Sequence, residues 1–134
     1  MSTLRELADG QKTIGALRYR LTAEAGYALV VYEGAPATLT EVDLWERDID
    51  AFLRASRLSR VVWDSRPGSP LSREVRAHVW AWLERAEIIK VSAIVVTSEL
   101  LRVSGNMSSV SRGLRLRSFH DLESAVAWVL KQPG

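Results

Sequence analysis

The residues of this chain that could do chemistry are few. Its only histidines are His78 and His120, and cysteine is absent. Without cysteine there is no disulfide, no thiolate metal site and no cysteine nucleophile, a composition suited to a reducing compartment. Two isolated histidines do not make a zinc site, and no metal or other cofactor is predicted. A serine hydrolase of an α/β class would show GxSxG at a strand-to-helix turn, and the sequence has none. His78 falls in the middle of a helical pattern beside its apolar stripe, which is a structural position. His120 falls at a helix start, where a capping role accounts for it. No catalytic residue is assigned, and the residues read as non-enzymatic.

Three constellations remain as binding candidates. The first is the turn in VVWDSRPGSP (61–70). Neither GxxxxGK[ST] nor GxGxxG occurs, and two prolines remove backbone donors, so a phosphate cradle is disfavoured. The turn still lies at the carboxyl end of a strand, where open α/β sheets bind ligands. Asp64 and Arg66 are the candidate binding residues. Ser69, followed by Pro70 at a first helical position, is either a helix cap or a phosphorylation switch.

The second is the acid-free stretch between Glu99 and Asp121, which carries Arg102, Arg112, Arg115 and Arg117. Arg115 and Arg117 alternate with Leu114 and Leu116 and so share a strand face. They either guard a solvated edge or meet an anionic partner. No aromatic is interleaved before Phe119, which argues against nucleic acid and for an acidic protein surface. The third is Trp80, off the apolar stripe of its helix among Arg73, Arg76 and Glu84, which is either an interface anchor or a ring buried by a large sheet flank. Trp45, Trp63, Trp82 and Trp128 fall on or beside apolar stripes and read as core.

The elements that must position these residues follow from periodicity. LRYRL (17–21) and YALVVY (27–32) form an initial hairpin. Thr40 opens a helix with Asp43 at its third position and a Leu39–Leu44 staple. Its apolar face is Val42, Trp45, Ile49, Phe52 and Leu53, with Glu46, Arg47, Asp48 and Asp50 opposite. RVVW (60–63) is a strand, followed by a helix with the stripe Val75, Val79, Trp82, Leu83 and Ala86. VSAIVV (91–96) is the most apolar strand and is predicted to be central. Ser98 begins a further helix ended by Gly113, LRLRSF (114–119) is a strand, and a last helix runs from about Asp121 to Leu130.

The expected fold is a single α/β domain. It has a mixed, mostly parallel sheet of about five strands with an N-terminal hairpin, and about four helices. Residues 1–15 read as a flexible leader, 16–131 as the domain and 132–134 as a tail. A length of 134 residues, 47% apolar and 25% charged, supports one ordinary globular core. No apolar run reaches bilayer length, and MSTLRELADGQK has no apolar core, so a cytoplasmic location is expected. Charge is uneven. Residues 1–50 carry 5 Lys/Arg against 9 Asp/Glu, and the rest carry 13 against 7.

The element order and the ending FHDLESAVAWVL, with its Phe–acid–Ala–Trp spacing, resemble the small bacterial STAS-like proteins called SpoIIAA-like. The resemblance spans residues 16–131. It implies a regulatory, often dimeric, cytoplasmic module that binds a protein partner and has no established chemistry. Regulatory STAS proteins carry a phosphorylatable serine at the start of the helix after an aspartate-ended strand. Asp64 matches that aspartate, and Ser69, before Ser65 or Ser72, matches the serine. Gly68-Ser69-Pro70 departs from the family's Asp-Ser pair followed by a small residue. The alternatives are a binder of a small amphipathic, lipid-like or anionic ligand held between sheet and helices, and an enzyme of unrecognised type.

Overall fold

The computed structural model describes residues 3–99, 102, 106 and 115–133. Its strands are β1 (Leu4–Glu6), β2 (Lys12–Ile14), β3 (Leu17–Ala23), β4 (Ala28–Glu33), β5 (Arg60–Asp64), β6 (Val91–Val95) and β7 (Leu116–Phe119). The helices are α1 (Leu39–Ser56), α2 (Arg73–Arg85) and α3 (Leu122–Lys131). All seven strands form one sheet in chain order, antiparallel from β1 to β4 and parallel from β4 to β7. The mixed α/β character and the predicted hairpin, here β3–β4, agree with the sequence, but the sheet is not mostly parallel, with three antiparallel and three parallel pairings. The counts differ as well, with seven strands against five and, among the described residues, three helices against four. The helix expected from Ser98 to Gly113 lies largely outside the described residues.

The two additional strands come from residues 1–15, read from the sequence as a leader. Long-range polar contacts hold this segment in place, and local periodicity does not register them. Lys12 Nζ reaches both carboxylate oxygens of Asp48 at 3.0 and 2.9 Å, and the Tyr19 hydroxyl donates to the same carboxylate at 2.7 Å. Asp48 therefore faces the β2–β3 hairpin and not open solvent. Gly15 has φ +59°, and a Cβ there would lie 2.3 Å from Glu41 Oε2, so only glycine lets the β2–β3 turn seat on α1. With β1 and β2 added, β4 is the middle strand. The apolar strand expected at the centre, β6, is second from the β7 edge.

Helix α1 starts two residues before the predicted point. Thr38 is its N-cap, its hydroxyl accepting from the Glu41 N–H at 3.2 Å, while the Glu41 carboxylate accepts from Ala37 N–H at 2.7 Å. The capping box thus uses Thr38 and Glu41, not Thr40 and Asp43. Helix α1 buries Trp45, Ile49 and Leu53 against Val30, Val61 and Trp63 on one face of the sheet. Helix α3 covers the other face, where Ala125 and Val129 meet Val62, Val91, Ala93 and Val95. Alternation along β5 divides Val61 and Trp63 from Val62 between these two faces.

Helix α2 behaves differently. Its N-cap is Ser72, whose hydroxyl accepts from Val75 N–H at 3.2 Å, so Ser69 is not the cap of this helix. Of the predicted stripe only Val75 is buried; Val79, Trp82, Leu83 and Ala86 are half-buried. The helix spans a chamber above the sheet.

Candidate functional site

Two features meet at the carboxyl end of β5. The first is the turn from Asp64 to Ser72. The Asp64 carboxylate is buried and takes a bidentate grip from Arg66, with Nε to Oδ1 at 2.9 Å and Nη2 to Oδ2 at 2.8 Å. These charge-assisted bonds hold its carboxyl below the usual carboxylate range, against the opposing effect of burial. Ser65 donates from both its N–H (3.1 Å) and its hydroxyl (2.6 Å) to the Val95 carbonyl. Gly68 N–H donates to Ser65 O and Ser69 N–H donates to Gly34 O. The Arg66 N–H is taken by Asp64 Oδ1. The amides that could have cradled a phosphate are therefore spent internally, as the two prolines suggested. Gly68 is needed where it stands, since a Cβ would come within 2.6 Å of the Tyr32 ring. The result is a fixed turn with Arg66 and Ser69 exposed.

The second feature is the chamber beneath that turn, with a volume of about 430 Å³. Its floor is Tyr32, Trp63 and Ile94 on the sheet, one wall is Trp45, Glu46 and Ile49 on α1, and the other is Val79, Trp80, Trp82 and Leu83 on α2. Residues Ser65 to Leu71, with Pro67 excepted, and Arg76 complete the roof and rim. Four of the five tryptophans of the chain thus face one space. They stack edge-on, with Tyr32 against Trp45 at 5.1 Å and Trp63 against Trp82 at 6.2 Å between ring centroids. Trp80, predicted to be an exposed anchor, is half-buried as part of this wall.

Glu46 is the residue that the sequence reading misplaced most. Assigned to the solvent face of α1, it is buried. Its spacing from Val42 and Ile49 (i+4 and i−3) already lies on the buried stripe, which was the available signal. Burial pushes its carboxyl up to about 7, with Asp43 adding to the rise and His78 and Arg85 opposing it. His78 Nε2 lies 3.2 Å from Asp43 Oδ1 and 3.5 Å from Glu46 Oε1, bridging α2 to α1. These three donor atoms fall within 4.8 Å of one another, close enough to share a small cation. The histidine thus has the structural position predicted, with a specific ionic role. His120 pairs with Glu99, and the N-cap of α3 is the adjacent Asp121, accepting from Ser124 N–H at 2.7 Å.

The arginine surface is separate from the chamber. Arg117 on β7 and Arg115 just before it are exposed at the edge of the described sheet. Arg115 donates to the Pro133 carbonyl, and the Arg117 guanidinium carbon sits 5.4 Å from the centroid of the Phe119 ring. Arg112 lies outside the described residues. The structure therefore brings Asp64, Arg66, Ser69 and Trp80 to one region and leaves Arg115 and Arg117 in another.

The fold is SpoIIAA-like, and three of the solved structures that share it align as follows. An uncharacterised protein with a SpoIIAA-like fold from Shewanella loihica PV-4 aligns with a TM-score of 0.63 at 15% identity, over 85% of this chain and 94% of that one. An anti-sigma factor antagonist from Mycobacterium paratuberculosis aligns at 0.61 and 16%, over 93% and 98%. The anti-sigma factor antagonist SpoIIAA in its unphosphorylated form aligns at 0.59 and 11%, over 85% and 99%. No family model matches the sequence, and no curated protein does. Among the described residues no helix is long and apolar enough to cross a membrane.

Proposed function

We propose that this protein is a non-enzymatic cytoplasmic regulatory module that acts by binding a protein partner and that it works as a homodimer. The observation that carries the reading is the turn from Asp64 to Ser72. Hydrogen bonds within it and to Val95 and Gly34 hold it in place, and it presents Arg66 and Ser69 to solvent at the carboxyl end of β5. A preordered surface loses little entropy on association. The shared fold with proteins named as anti-sigma factor antagonists supports a regulatory role. Of the turn's serines, Ser65 spends its hydroxyl on Val95 and Ser72 spends its own on the α2 cap. A charge switch on this turn therefore belongs to Ser69.

Affinity capture from the producing organism tests this reading, with wild type and Ser69→Asp at matched melting temperature. A partner captured by wild type and reduced about tenfold by the substitution supports the surface. Equal capture by both, or capture of nothing, overturns it. A second reading, the binding of a small amphipathic ligand, is favoured by the chamber under α2. The two are compatible, because the turn that meets the partner also roofs the chamber.

A further inference from the structure

Asp43, Glu46 and His78 meet where α2 packs beside α1. Asp43 and Glu46 stand three residues apart on α1, so both carboxylates leave one side of that helix. His78 comes from α2, and its Nε2 lies 3.2 Å from Asp43 Oδ1 and 3.5 Å from Glu46 Oε1. One ligand atom from each residue falls within 4.8 Å of the other two. Zinc holds nitrogen and oxygen ligands at about 2.0–2.2 Å, so two ligands on its tetrahedron stand roughly 3.3–3.6 Å apart. The two separations measured from Nε2 are close to those edges.

Glu46 separates this cluster from an exposed ion pair. It is only 6% exposed, and its Oε2 has no hydrogen-bond partner. Its Oε1 stands 3.5 Å from the imidazole, beyond the usual hydrogen-bond length. A carboxylate buried with so few donors lacks the positive partner that burial demands. The other two ligands reach water, the Asp43 side chain being 51% and that of His78 26% exposed. An ion can enter from that side, and solvent can supply its fourth ligand. Arg85, two turns beyond His78 on α2, acts on Glu46 with opposing charge and weakens the site for any cation. The imidazole nitrogen favours zinc over magnesium and calcium, which take oxygen ligands.

We propose that Asp43, Glu46 and His78 form a binding site for a zinc-class divalent ion that clips α2 to α1. The proposal is independent of the partner-binding reading. Helix α2 buries only Val75, and Glu46 also stands in the wall of the chamber. An ion held between the two helices therefore sets how far α2 stands from α1, and with it the width of the chamber. The spacing of the histidines could not reveal the site, because its carboxylates come from another helix, Asp43 lying 35 positions from His78.

Calorimetric titration of the whole chain, stripped with EDTA and desalted, with zinc chloride at pH 7 provides the test. One ion per chain is expected, in the presence or absence of excess magnesium. His78→Gln, Asp43→Asn and Glu46→Gln, each checked by its melting curve, should weaken binding by at least about tenfold, since even an outer partner of a metal ligand is worth roughly 10–100-fold. His120→Gln removes the chain's other histidine and should bind as wild type does. Zinc should also raise the melting temperature of the wild type and leave that of His78→Gln unchanged. No saturable binding by the wild type, or binding that survives His78→Gln or Asp43→Asn undiminished, would overturn the site and leave a plain contact between imidazole and carboxylates. Loss of binding on His120→Gln alone would overturn it by placing the ion beside Glu99, and displacement by magnesium would overturn the zinc assignment.

Discussion

Glu46 gives the sharpest quantitative test of this architecture. Its carboxyl titrates near 4.5 when solvated and at about 7 in the fold, because burial disfavours the ionised form. A raised carboxyl pKa means that the folded chain binds this proton more tightly than the unfolded chain. The folded state therefore carries no penalty from Glu46 below about pH 4.5, a growing penalty from there to about pH 7, and the full penalty above it. The gap corresponds to about 3 kcal/mol at 1.36 kcal/mol per pH unit. The groups facing it are His78 and Arg85 on α2, which reduce the penalty, and Asp43 on α1, which adds to it. Glu46→Gln keeps the side-chain volume and abolishes the titration. At pH 5 the variant should be equal to or less stable than wild type, since it surrenders the contact with His78. At pH 8.5 it should be more stable, so that the difference between the two proteins swings by about 2–3 kcal/mol across this range. Urea unfolding followed by tryptophan fluorescence, in buffer containing EDTA, measures it. A difference that stays flat within about 0.5 kcal/mol would refute the reasoning, and would mean that solvent reaches the carboxylate and the wall between α1 and α2 is open.

Other expectations rest on separate observations. Ser72→Ala should cost about 1 kcal/mol in a denaturant melt while Ser69→Ala stays within about 0.5 kcal/mol, because the cap bond belongs to Ser72. Arg57, at the end of α1, has φ +58°, so Arg57→Gly should raise stability by about 0.5–1 kcal/mol in the same assay. Gly15→Ala should cost about 2 kcal/mol, since the new Cβ would meet Glu41 at a positive φ. For the proposed dimer, Arg115→Glu/Arg117→Glu should weaken self-association in sedimentation at low salt and lose that effect at high salt; unchanged sedimentation at both would remove this edge from the interface.

The parts of the fold that could be read from the sequence are those that local periodicity encodes. The strands β3 to β7 and the amphipathic faces of α1 and α3 follow from alternation at two and at 3.6 residues, and the structure returns them within two or three residues. Residues 1–15 could not be read in this way. Three-residue strands carry too little pattern, and β2 is held by Lys12 reaching Asp48 and by Gly15 seating on Glu41, contacts across some thirty positions that no window samples. The cap of α2 was misread for a related reason. The sequence offers three serines in a row of turn residues, and the hydrogen bond that Ser69 N–H donates to the Gly34 carbonyl keeps Ser69 in the turn.

The site was legible by type and obscure by arrangement. The abundance of tryptophan was visible, and so was the helical stripe of α2, but an apolar stripe looks the same whether it packs on a sheet or faces a void. What distinguishes them is the fit between layers. The wide rings of Trp45, Trp63 and Trp82 prop α2 above β5 and β6, and edge-on pairs at 5.1 and 6.2 Å leave space that smaller side chains would have closed. Such a void costs packing energy, and a buried Glu46 and two unpaired indoles cost more. Those costs fall together on one chamber, beneath a turn whose Ser65, Arg66, Gly68 and Ser69 amides are all hydrogen-bonded. A chain stabilised only for folding would have no reason to concentrate them there. A void and orphaned groups gathered at one place mark a surface kept for something else, and on this molecule that place is the space between α2 and the sheet.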